Sequence, residues 1–201
     1  MNPVTRRRFV LKPLVFIASL IPLGIAVGQA LNLYGGLGAN PIEALMDHFG
    51  NWALRFLMIA LAVTPIRQLT GINAFGQFRR MLGLFAFFYV FMHFLVYLVL
   101  DQSLLVSAIF EDIVERPFIT LGVIAFVVLL AMAVTSTAGM RRRLGKRWQK
   151  LHYGAYLAGV LGVWHYWWQV KSDIREPLVY AAILALLLGY RIYKKRAKRA
   201  T

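Results

Sequence analysis

Apolar residues gather along this chain into six separated runs, roughly 13–31, 52–68, 81–100, 117–136, 151–169 and 176–193. Each run is long enough for a helix to cross a hydrocarbon layer of ~30 Å. The pattern predicts an all-α membrane protein: a bundle of six transmembrane helices forming one domain over 1–201. The segments between the runs are polar and short. The longest, 32–51 and 101–116, are predicted as loops too small to hold cores of their own.

Charge then orients the bundle. Nineteen of the 23 Lys and Arg fall on one side of the predicted membrane. They comprise Arg6, Arg7, Arg8 and Lys12; Arg67, Arg79 and Arg80; six residues between Arg141 and Lys150; and six between Arg191 and Arg199. All eight acids, Glu43, Asp47, Asp101, Glu111, Asp112, Glu115, Asp173 and Glu176, fall in the opposite set of segments. The positive-inside rule places both termini in the cytoplasm. The net charge of +15 is therefore topological and not the footprint of a nucleic-acid binder. The opening TRRRFVLK is similar to a twin-arginine export signal, with small residues from Ala26 to Ala30 at the place of a cleavage site. Cleavage would leave an odd number of spans and split the termini across the membrane, so the run is read as the first helix.

Composition excludes several chemistries. The chain is 60% hydrophobic and 15% charged, and it has no cysteine. Disulfides, thiolate-ligated metals, iron–sulfur clusters and a cysteine nucleophile are ruled out. No Walker loop or GxGxxG fingerprint is present, so no dedicated nucleotide-binding fold is expected. No repeat is visible. The GGLG at 35–38 reads as a glycine-rich turn.

The candidate chemistry lies in the histidines. Of four, His93, His152 and His165 fall within or at the edge of predicted spans, where an ionisable side chain has a partner or a function. Counted from residues 81 and 151 at ~1.5 Å per residue, His93 lies ~18 Å and His165 ~21 Å into parallel helices. Two neutral imidazoles at one level match bis-histidine ligation of a haem iron between helices. His152 lies ~20 Å below His165, a depth that suits a second haem. The residue 14 positions before His93 is Arg79, beside Arg80; a guanidinium has no lone pair for iron but pairs well with a haem propionate. A five-coordinate haem, a shared haem and no haem all stand open for His152. Thirteen residues leave about 140° between His152 and His165, so either the span is distorted or the rings face different neighbours. Gly154, Gly159 and Gly162 permit a distortion and equally suit helix packing. His48, beside Asp47, reads as a solvated loop residue. Arg55 either snorkels to the interface or neutralises propionates of an outer haem.

The strings TSTAGMRRRLGKRWQKLHYGAYL (135–157), RPFITLG (116–122), GGLGANP (35–41), RRMLGLF to MHF (79–94) and WHYWW (164–168) together resemble the MsrQ (YedZ) family of the ferric-reductase-like superfamily. The resemblance covers essentially the whole chain. It implies a haem b electron-transfer subunit of the bacterial inner membrane, itself not catalytic. Its partner is a periplasmic MsrP-like molybdopterin enzyme that reduces methionine sulfoxide in oxidised proteins. It also implies one or two haems held by His93, His152 and His165, a bound FMN, and electrons from the quinone pool or a cytosolic flavin reductase. A reading from another class is a transporter or assembly scaffold whose histidines relay protons or pack helices.

Overall fold

The computed structural model describes residues 7–170 and 172–200. The first two residues of the double-arginine opening, Thr5 and Arg6, lie outside them. Among the described residues every regular element is helical. After a π-helical turn at Arg7–Leu11, the long helices are α1 (Lys12–Ala30), α2 (Pro41–Thr70), α3 (Arg79–Leu95, continued by a π-helical segment Val96–Asp101), α5 (Pro117–Val134), α8 (Gly154–Gln169) and α9 (Arg175–Ala200). Between them lie the short α4 (Val106–Glu115), α6 (Ala138–Leu144) and α7 (Lys146–His152). Among the described residues five segments are long and apolar enough to cross a membrane: Phe9–Ala30, Pro41–Thr70, Arg79–Asp101, Pro117–Val134 and Arg175–Lys198. The chain is thus a multi-pass membrane protein.

The elements differ from the hydropathy reading where polar side chains support a helix outside an apolar run. Helix α2 starts at Pro41, well before the expected residue 52. Asn40 caps it, accepting from the Glu43 amide and donating to the Glu43 carboxylate, and Pro41 takes the first turn, where its missing N–H costs nothing. His48 is therefore a helical residue, and its Nε2 bonds the Pro22 carbonyl of α1 at 2.8 Å. The expected loop 101–116 contains α4. The expected span 151–169 is interrupted at Tyr153, so His152 ends α7 and only Gly154–Gln169 continues upward. That break accounts for the face mismatch between His152 and His165.

The interior is aromatic. Phe56 stacks on Tyr89 with centroids 5.2 Å apart and planes 3° from parallel, and Phe85 stacks on Phe56 from below. Tyr89, fully buried, inserts its hydroxyl into the backbone ladder of α1: it accepts from the Leu23 amide at 3.2 Å and donates to the Ser19 carbonyl at 2.7 Å. The insertion sits at Pro22, where the ring already disrupts the helix. Helix α2 packs along α3, and α5 along α8; these two pairs carry the site.

Candidate functional site

His93 on α3 and His165 on α8 face one another with ring centroids 6.2 Å apart and planes at 84°. Each ring is fixed in the same way. His93 Nδ1 lies 2.9 Å from the Met46 carbonyl of α2, and His165 Nδ1 lies 2.7 Å from the Phe118 carbonyl of α5. A carbonyl only accepts, so each Nδ1 carries the proton and each Nε2 keeps its lone pair. Among the described residues neither Nε2 has a hydrogen-bond partner. One turn beyond each carbonyl stands a glycine. A Cβ at Gly50 would come 3.1 Å from His93, and one at Gly122 would come 3.0 Å from His165, so any side chain there would press on the ring and require it to give.

The two devices share one spacing. Met46, Gly50 and His93 stand in the same register as Phe118, Gly122 and His165, with 47 residues from carbonyl to ring in both. No repeat of residue types accompanies this, which is why none was visible in the sequence. The one available signal was a glycine 43 positions before both His93 and His165.

Both imidazoles line a cavity of about 310 Å³. Its walls are apolar, from Leu57, Val90, Phe126 and Leu129 among others, and Asp47, Asp101, Asp112 and Arg116 line it as well. The donor set fits an iron atom shared between the two rings. Bonds of about 2 Å from each nitrogen to a metal, with about 1 Å more from nitrogen to ring centre, give centroids about 6 Å apart. The hydrogen bond from the other nitrogen to a carbonyl is the support that a ligating imidazole normally has.

A second cavity, about 260 Å³, lies at the basic end and is lined by Arg79, Arg80, Arg141, Arg191, Trp148 and His152. No carboxylate lines it. The ring of His152 stacks on Trp148 at 3.9 Å, and its Nε2 is 3.4 Å from the Thr135 hydroxyl. No other histidine lines this cavity, so His152 is not brought to the His93 and His165 pair. Leu57 and Leu129 line both cavities and form the wall between them. Arg191 is held there by backbone: it donates to the Leu187 and Leu61 carbonyls and lies over the Tyr156 ring. The Leu61 carbonyl is available because its normal helical donor would be residue 65, a proline. Arg55 does not line either cavity; its Nε donates to the Tyr180 hydroxyl at 3.1 Å and its guanidinium lies over Trp52. Arg116, which sequence reasoning did not single out, is the arginine that lines the acidic-end cavity, 3.2 Å from Asp112.

A family model described as a ferric reductase like transmembrane component matches residues 49–163. A heme-binding subunit MsrQ of protein-methionine-sulfoxide reductase from Xanthomonas euvesicatoria is 49% identical over 194 residues, covering 94% of this chain and 89% of that protein. The chain belongs to the MsrQ family. An MsrQ protein from Bordetella pertussis is 47% identical over 184 residues, 90% of this chain and 88% of its own length. One from Xanthomonas campestris reaches 53% over 165 residues, 82% and 76% of the two chains. The ferric-reductase stretch takes in His93, His152 and both ring-contacting glycines but stops short of His165; the MsrQ relatives extend the likeness over nearly the whole chain.

Proposed function

We propose that this chain is a haem b electron-transfer subunit that carries electrons across the bacterial inner membrane to a periplasmic MsrP-like molybdoenzyme, where methionine sulfoxide is reduced. The observation that carries the proposal is the facing pair His93 and His165, each with Nδ1–H committed to a carbonyl and Nε2 free. The chain's relatives in Xanthomonas euvesicatoria and Bordetella pertussis are heme-binding subunits by name, which supports it. The chain folds in this reading as one domain with six spans, α8 being the sixth, and with both termini in the cytoplasm, as the segregation of basic from acidic residues requires.

Bound haem supplies a one-electron carrier within the membrane. The protein's own part is to hold it. His93 and His165 bind from α3 and α8, and Met46 and Phe118 keep their rings in the ligating tautomer. Leu57, Val90, Phe126 and Leu129 exclude water. Arg116 stands on the outer cavity, where a propionate needs a cation; Arg55 is the further candidate carried from the sequence. His152, Arg79 and Arg80 form the inner site with Arg141 and Arg191, suited to an acidic group: a second haem, or the FMN that the family resemblance implies. Reductant, from the quinone pool or a cytosolic flavin reductase, enters at this basic end. The chain itself performs no chemistry on the sulfoxide.

Pyridine haemochrome analysis and absorption spectra of purified His93→Ala and His165→Ala variants test the assignment. Each is expected to lose the low-spin haem signal while still inserting into the membrane. Two variants with the full haem complement and an unaltered spectrum end the proposal.

A further inference from the structure

Helix α4 has a face that none of the described residues covers. At about 100° per residue, its apolar side chains Ile109, Ile113, Val106, Phe110 and Val114 occupy one continuous arc of about 140°. The serine and acids Ser107, Glu111, Glu115 and Asp112 fill the opposite arc. Half of the apolar arc, Ile109 and Ile113, is partly buried in the bundle. The other half is bare: Val106 is 65%, Phe110 66% and Val114 79% exposed, with Leu104 and Leu105 exposed just before them.

Position says what meets that stripe. Ten residues make a helix of ~15 Å, too short to cross a bilayer. Four residues separate it from Asp101 at the end of one membrane segment, and Arg116 alone joins it to Pro117 at the start of the next. At no more than ~3.5 Å per residue, its C-terminal end cannot leave the membrane boundary. Asp112 ties the helix sideways as well. Its carboxylate accepts from the Gln102 amide at 2.9 Å and the Tyr97 hydroxyl at 3.4 Å and pairs with Arg116. The Thr120 hydroxyl donates to the Ile113 carbonyl. The helix is therefore laid between the ends of two spans, and the last apolar residues of the preceding span, Val99 and Leu100, are exposed as well. Its acids point the other way.

We propose that α4 is an in-plane membrane helix whose Val106, Phe110 and Val114 stripe sits in the lipid leaflet at the acidic end of the bundle. It thereby seats the mouth of the histidine-lined cavity at headgroup depth. The wide apolar arc and polar opposite face are those of an interfacial helix. Bulk lipid, not a soluble partner, occupies the stripe. Asp112 and Arg116 belong both to this helix's tether and to the cavity wall, so a protein approaching the cavity meets Glu111 and Glu115, not the apolar stripe.

The absence of cysteine makes the test direct. Single spin labels at Phe110→Cys, Val114→Cys, Glu111→Cys and Glu115→Cys are read in liposomes of phosphatidylethanolamine and phosphatidylglycerol, by collision with oxygen and with a water-soluble nickel chelate. The expected result is an oxygen-to-nickel ratio severalfold higher at 110 and 114 than at 111 and 115. Equal, water-like ratios at all four positions overturn the proposal. So does a stripe that is wet in the liposomes and becomes shielded only when a soluble protein is added. The result is independent of haem content, so it stands or falls apart from the electron-transfer reading.

Discussion

The absence of a side chain at two positions sets how the imidazoles sit. Gly50 and Gly122 each lie within about 3 Å, measured from a notional Cβ, of a histidine ring held by the carbonyl one turn earlier. Gly50→Val or Gly122→Val is expected to push its ring off that carbonyl and weaken haem retention about tenfold, the scale of losing the support behind a metal ligand. Haem titration of the apoprotein measures this; unchanged affinity in both variants shows that the close approach has no consequence. The common level of His93 and His165 was legible in the sequence, because helical rise converts position into depth. The glycines were not, since a membrane glycine equally serves helix packing, and only facing helices reveal what a Cβ would strike. Arg116 went unremarked for a similar reason. Depth along a span does not say which way a side chain turns, and Arg55 turns to Tyr180 and Trp52.

At the scale of the element, one helix depends on another for a missing donor. Pro65 leaves the Leu61 carbonyl of α2 without its intrahelical partner, and Arg191 of α9 supplies one. Arg191→Met alone strands that carbonyl and is expected to cost about 1–3 kcal/mol. In a Pro65→Ala background, residue 65 donates again and the same substitution costs less. Thermal unfolding of the four proteins in detergent gives the coupling; strict additivity sinks the explanation. Hydropathy found the five helices that are long and apolar enough to span, but misjudged ends and breaks. An apolar run marks where lipid surrounds a helix, whereas Asn40 and Pro41 decide where α2 begins. The interruption at Tyr153 leaves no mark in hydropathy, and α4, amphipathic and short, reads as a loop in any window wide enough to detect a span.

For the whole molecule, the parity of the spans decides which compartment each end occupies. With six spans, a cysteine introduced at Lys198 is expected to resist an impermeant maleimide applied to spheroplasts, and one at Glu111 to react. Labelling of both puts the ends of the bundle on opposite sides and removes α8 from the count. The histidine-bearing helices α3 and α8 are each locked to a different neighbour, α2 and α5, through the matched carbonyl contacts. Neither ring can follow the other if the two pairs slide. The gap between the imidazoles is thus set by how the two helix pairs are seated, and a shift of one pair against the other would stretch or tilt the grip on whatever the rings hold.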